Sequence, residues 1–126
     1  VPGVLKELHK RGTLISLASY NHSGPATRAL QVFGIHHFFQ NMAIEFHSHK
    51  DRMLLDILNG FWKDGYEVTP RTTLFIDDDH KGKYRQQMAD IGVNFLQRGT
   101  DIQNIDEILK HSDFTIQSAI KRSHYA

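Results

Sequence analysis

No cysteine occurs among the 126 residues, which excludes a disulfide framework and thiol chemistry. A dominant charge is lacking too: 15 Lys and Arg stand against 14 Asp and Glu, for a net charge of +1. With both signs interspersed, the chain generates no field that would draw in nucleic acid or an anionic membrane. No apolar stretch approaches the roughly 20 residues that span a bilayer, and no signal-peptide pattern is visible. Internal repeats and low-complexity segments are absent as well. The expectation is a soluble, cytoplasmic chain with neither a membrane nor a nucleic acid among its partners. At this length it is one domain with room for a sizeable core. It opens on Val1 and not on Met, as a fragment or a processed product would.

What is present is an alternation of helical and extended patterns. Val4, Leu5 and Leu8 mark one face of a short opening helix that Gly12 is placed to cap. Thr13 to Ala18 follows as a nearly continuous apolar run, the pattern of a strand covered on both faces of a parallel sheet. Ser23 and Pro25 open a second helix with Ala26, Ala29, Leu30 and Phe33 inward, and Gly34 ends it. A second strand is expected around Met42 to Ile44. The third helix starts near Lys50 with Met53, Leu54, Ile57, Leu58 and Phe61 on its buried side, and Pro70 breaks the chain before a strand at Thr72 to Ile76. A helix over Lys83 to Ile91, a strand at Val93 to Leu96 and a short helix capped by Asn104, with Ile105, Ile108 and Leu109 inward, complete the pattern. Such alternation argues for βαβ units with right-handed crossovers. Residues 1–110 form this core. The segment 111–126 is a less patterned tail, with Phe114 and Ile120 placed to dock and Lys121 and Arg122 to face solvent.

Ligands of parallel sheets bind beyond the carboxyl ends of the strands, and the chemistry-bearing residues fall there. Leu74, Phe75 and Ile76 run into Asp77, Asp78 and Asp79, as a buried strand opening into a metal site would. The apolar run from Leu14 to Ala18 ends on Ser19, and Lys50 stands between the two at a helix start. This order of strand-Ser, Lys and strand-Asp-Asp resembles motifs II, III and IV of the haloacid dehalogenase-like phosphohydrolases, closest in cadence to their small magnesium-dependent phosphatase branch. The likeness covers about Val1 to Thr100. It implies a doubly wound parallel-sheet, Rossmann-like fold and Mg²⁺ as cofactor. It also implies a phosphomonoester substrate, a small molecule or a phosphoprotein, hydrolysed through an aspartyl-phosphate. The family's first motif, a strand ending in Asp-x-Asp-x-Thr or Val that carries the nucleophile, does not occur in this sequence. In the family that strand is central, between the one ending here in Ser19 and the one ending in Asp78. The expectation is therefore a phosphatase fragment, weak or inactive alone. Its central strand comes from upstream, or its gap is covered by rearrangement, by a dimer or by a partner.

Phosphoryl transfer asks chiefly for positioning and charge neutralisation. Ser19 matches the motif II hydroxyl, which donates to a phosphoryl oxygen with the turn N–H groups of Tyr20 and Asn21 beside it. The plain alternative is a strand-end serine satisfying a turn. Asn21 and His22 stand near the same rim. Lys50 matches the motif III lysine, a point charge that stabilises the phosphorylated intermediate, against the plain reading of a solvated lysine beside Asp51. Asp77 and Asp78 match the motif IV pair, whose adjacent carboxylates suit a hard, partly hydrated cation. Family members with a single aspartate mark Asp78 as the direct ligand, with Asp77 orienting it or binding through water. A plain acidic turn is the alternative. Clustered carboxylates are expected to raise one another's pKa values. Asp79 and His80 extend the turn, or cap the next helix.

His47 and His49 form a His-x-His with no further ligands at zinc spacing. Asp113, Phe114 and Thr115 lack the second aspartate that a permuted nucleophile motif would need. The short interval between Ser19 and Lys50 leaves no room there for a large cap, which suits a macromolecular phosphoester or a small sugar phosphate. Response-regulator receivers combine the same residue types, but with the acidic pair early and the lysine last. A non-catalytic phosphate-binding or interaction module on the same fold, and one half of a two-chain enzyme, stand as alternatives.

Overall fold

The helix that begins at Lys50 carries two adjoining apolar stripes, and the rest of the chain is arranged around them. In the computed structural model, residues 2–20, 23–45, 47, 49–79 and 82–110 are described. The elements are α1 (Pro2–Lys10), β1 (Ala18–Tyr20), α2 (Ser23–Val32), β2 (Ala43–Glu45), α3 (Lys50–Lys63), β3 (Leu74–Asp77), α4 (Tyr84–Ile91) and β4 (Asn94–Gln97). Short 3-10 turns lie at His36–Phe38, Pro70–Thr72 and Ile105–Lys110. Along α3, Met53, Ile57 and Phe61 recur at one-turn spacing and pack with Ala43, Leu14 and Ala18. Leu54, one position on, belongs to a separate cluster with Phe75, Met88 and Val93.

The chain is a mixed α/β structure with small parallel sheets. β1 pairs with β2, matching Ser19 to Ile44, and β3 pairs with β4, matching Ile76 to Leu96. Successive side chains of β3 point to opposite faces. Phe75 meets α3 and α4, while Leu74 and Ile76 join Val4, Leu5 and Leu8 of α1 and Ile108 of the last 3-10 turn. Helical elements thus cover both faces, which accounts for the near-continuous apolar runs.

The two sheets do not hydrogen-bond to one another among the described residues. A cavity of about 1300 Å³ separates β1 from β3, bordered by residues 13–19 on one side and 71–78 on the other. Leu54, Ile57 and Leu58 of α3 and Leu5, Leu8, Ile105 and Ile108 of the opposite layer close it above and below.

Several sequence expectations shift. β1 is assigned only from Ala18, later than the run beginning at Thr13, although the carbonyls of Ile15 and Leu17 already accept from Gln40 N (2.7 Å) and Ala43 N (2.8 Å). β3 starts at Leu74 because Pro70–Thr72 winds into a 3-10 turn capped reciprocally by Thr69 and Thr72. β2 and β4 each begin one residue later than expected. The inward placing of Ala29 and Phe33 is wrong: α2 rests against β2 and the 36–38 turn, a contact that leaves Ala29 in solvent and Phe33 73% exposed. The last helix is a 3-10 turn, in which the Asn104 side chain accepts from Asp106 N at 3.1 Å. Asn21, His22, His80 and the segment 111–126, with Asp113, Phe114, Thr115, Ile120, Lys121 and Arg122, lie outside the described residues. No helix among the described residues is long and apolar enough to cross a membrane.

Met53 is fully buried, at 0% exposure. Met53→Ala should therefore cost about 2–5 kcal/mol in urea unfolding. Phe33→Ala should stay within about 0.5 kcal/mol, as for an exposed position.

Candidate active site

Lys50 is the first residue of α3 and is 4% exposed, which overturns its reading as a solvated lysine. Taking an ammonium out of water costs several kcal/mol unless it is paired and hydrogen-bonded. Lys50 Nζ donates to the Ala18 carbonyl at 2.8 Å and to Asp77 Oδ2 at 3.2 Å. The rings of Phe75 and Tyr84 lie 5.5 Å and 5.1 Å from it, within cation–π range. One side chain therefore ties the end of β1 to the end of β3. The local sequence makes this possible: α3 begins at Lys50 itself, so the side chain leaves the first turn while Met53 and Leu54 anchor the helix below it.

Asp77 closes β3 with both oxygens engaged, Oδ2 by Lys50 and Oδ1 by the N–H of Asp79 at 3.1 Å. Burial pushes its carboxyl up, but the Asp79 N–H, a hydrogen bond shared with Asp78 and the Lys50 charge outweigh it, and the net shift is below the ordinary 3.8. The expected mutual raising of the clustered carboxylates is therefore not what governs Asp77. Asp77 is the partner of Lys50, and Asp78, half-buried on the cavity wall, shares a side-chain hydrogen bond with it. The Asp78 backbone carbonyl is held by Gln97 Nε2 at 3.1 Å.

Asp79 caps the next helix. Its φ of 51° is left-handed, a region that aspartate tolerates better than most residues. Its carboxylate, on a residue 3% exposed, accepts from Tyr84 N (2.8 Å) and Arg85 N (3.2 Å) at the start of α4. The cap brings Tyr84 over Lys50, so Asp77 and Asp79, two residues apart, have separate tasks.

Ser19, Lys50, Asp77 and Asp78 all line the same cavity, and the structure brings these four predicted residues together at one end of it. Tyr20 ends β1. His47 and His49 are not among the residues that line this cavity. His47 Nδ1 accepts from His49 N at 3.1 Å and its Nε2 meets Glu45 Oε2 at 3.3 Å, so both ring nitrogens are engaged. Among the described residues no group of three or more His, Cys, Asp or Glu could hold a metal ion. Two contributors escaped the sequence reading. Gln97 was discernible as a polar residue at the carboxyl end of a parallel strand. Gln87, which accepts from Asp51 N at 3.3 Å, had no local signal.

Comparison with family models, with curated proteins and with solved structures finds no match to this chain. The case for function rests on the site.

Removing one partner of a buried pair strands the other. Lys50→Met should cost about 3–5 kcal/mol in urea unfolding, and Lys50→Met combined with Asp77→Asn should cost less than the two single changes together. Because the Asp77 pKa is lower in the folded than in the unfolded chain, its charge contributes stability above about pH 3.8 that is lost as pH falls through the folded value. Urea midpoints measured from pH 6 downward should accordingly fall less steeply in Asp77→Asn than in the wild type.

Proposed function

We propose that this chain is the phosphate- and metal-binding part of a magnesium-dependent phosphomonoester hydrolase of the haloacid dehalogenase-like kind. On this reading its two sheets are parts of one doubly wound, Rossmann-like sheet, and the nucleophilic aspartate comes from a segment outside this sequence. The observation that carries the reading is the buried Lys50, fixed between the carbonyl beside Ser19 and the carboxylate beside Asp78. A plain acidic turn and a strand-end serine give no reason for an ammonium to be buried between them.

Ser19 Oγ donates to a phosphoryl oxygen, and Lys50 offsets the charge that builds up on the phosphoryl group as the bond to the leaving oxygen breaks. Asp77 positions Lys50 and keeps it paired. Asp78 is the direct magnesium ligand, with Asp77 as its orienting neighbour and Gln97 steadying the backbone. The donor set suits Mg²⁺, which binds through one or two carboxylates and keeps several waters. With Asp77 committed to Lys50, these residues make half a site, completed by the carboxylate of the missing motif. When bound, magnesium supplies positive charge that draws phosphoryl oxygens and nucleophile together. The substrate class is a phosphomonoester, of a small molecule or a phosphoprotein.

The test is an assay of the native gene product with para-nitrophenyl phosphate, together with its N-terminal sequence. An upstream Asp-x-Asp strand and turnover abolished by EDTA are expected, with Asp78→Asn and Lys50→Met each lowering kcat by about 10²–10³. A native product without that strand and without turnover would make the chain a non-catalytic phosphate-binding module. Robust turnover by residues 1–126 alone, abolished by Asp78→Asn, would place the nucleophile within this sequence.

A further inference from the structure

We infer that Asp101, in the turn after β4 and not on the cavity wall, is a positioning residue for the acidic turn. Together with Arg85 and Gln97 it closes a ring of hydrogen bonds that fixes where Asp78 stands.

The local sequence dictates where Asp101 falls. Among the described residues β4 is paired on one edge alone, to β3. Asn94 N and Arg98 N donate to the carbonyls of Thr73 and Asp77, so the N–H of Gln97, of opposite parity, points to the other edge. Gly99, at φ 96°, then turns the chain back. The Gln97 carbonyl accepts from Thr100 N and Asp101 N, and Ile102, 2% exposed, anchors the turn in the cluster that holds α1. Asp101 is thereby set beside Gln97, and its Oδ2 accepts from Gln97 N at 2.7 Å. A carboxylate satisfying a strand-edge N–H is the plain account of this contact.

That account leaves Arg85 unexplained. The same Asp101 Oδ2 accepts from Arg85 Nη2, and the guanidinium lies 5.1 Å from the Phe95 ring, which holds it over β4. Each of the two donors reaches on to the acidic turn. Arg85 donates its backbone N–H to Asp79 Oδ2 at 3.2 Å, and Gln97 donates its side-chain Nε2 to the Asp78 carbonyl at 3.1 Å. Asp78 and Asp79 share a peptide bond, so the ring is complete: Asp78, Asp79, Arg85, Asp101, Gln97 and back to Asp78. Rotation of that peptide, which would swing Asp78 off the cavity wall, has to break a link. The ion pair adds little stability, since the Arg85 and Asp101 side chains are 51% and 30% exposed. Its effect is on geometry. On the phosphohydrolase reading, on which this step rests, the carboxylate so placed is the magnesium ligand, and loss of an outer partner of a ligand weakens metal binding by about 10- to 100-fold.

The experiment has two arms. In the first, backbone amide exchange is followed by NMR on the full chain, with no metal or substrate present. Asp101→Ala is expected to quicken exchange about tenfold at Asp79 and Tyr84, whose N–H groups the turn holds, and to leave Met53 and Ile57 of α3 unchanged. Arg85→Met opens the same ring elsewhere and should act on the same two amides, and it serves alone if Asp101→Ala fails to fold. The two changes together should do no more than Asp101→Ala, because a ring opened once is open. In the second arm, on the native gene product, Asp101→Ala is expected to raise the Mg²⁺ concentration for half-maximal para-nitrophenyl phosphate turnover about tenfold, with KM for the ester unchanged. Unchanged exchange at Asp79 and Tyr84 overturns the inference, as does a quickening that extends equally to Met53 and Ile57. Effects that sum in the double variant also overturn it, and so does an unmoved Mg²⁺ requirement in an active enzyme. If the wild-type product shows no turnover, local quickening leaves the ring standing and removes the phosphohydrolase reading instead.

Discussion

A lysine ammonium taken out of water at the wrong end of a helix is the constraint on which the site depends. Burial opposes the charge, and so does the position, because the amino end of α3 carries the positive pole of the helix dipole. Lys50 meets both penalties with one carbonyl, one carboxylate and two aromatic faces. Those partners come from three stretches of chain: Ala18 from β1, Asp77 and Phe75 from β3, and Tyr84 from α4. Convergence of three segments on one cation is hard to account for by stability, since an apolar residue would fill the position at less cost. It is easy to account for if the charge is needed there.

The acidic turn follows from the same requirement. Asp77 must be ionised to hold Lys50, and the Asp79 N–H helps to keep it so. That N–H points inward because Asp79 adopts a left-handed conformation, which is secured by its own carboxylate across the first turn of α4. Asp78 sits between two fixed neighbours, with Gln97 on its carbonyl and its side chain hydrogen-bonded to Asp77, and lines the cavity.

Much of this was legible in sequence because it is periodic. The buried stripe of α3 reads directly from Met53, Leu54, Ile57, Leu58 and Phe61, and the start of the helix at Lys50 follows from it. Strand starts at β2 and β4 were off by one residue because apolar runs mark burial, whereas a ladder begins only where a partner's backbone comes into register. Phe33 misled for a related reason: a helical repeat of apolar residues shows what a helix could bury, not that a neighbour is there to cover it. The division of labour among Asp77, Asp78 and Asp79 was not legible, because it turns on one left-handed residue and on a lysine distant in sequence.

Met53 and Leu54 are adjacent in α3 yet press on different sheets. Successive residues of an α-helix stand about 100° apart around its axis, so one helix faces both halves of the molecule at once. Lys50 lies one turn ahead of Leu54 on the same cylinder. A single element thus props the two sheets and holds the ammonium between their ends, and architecture and electric potential share one support.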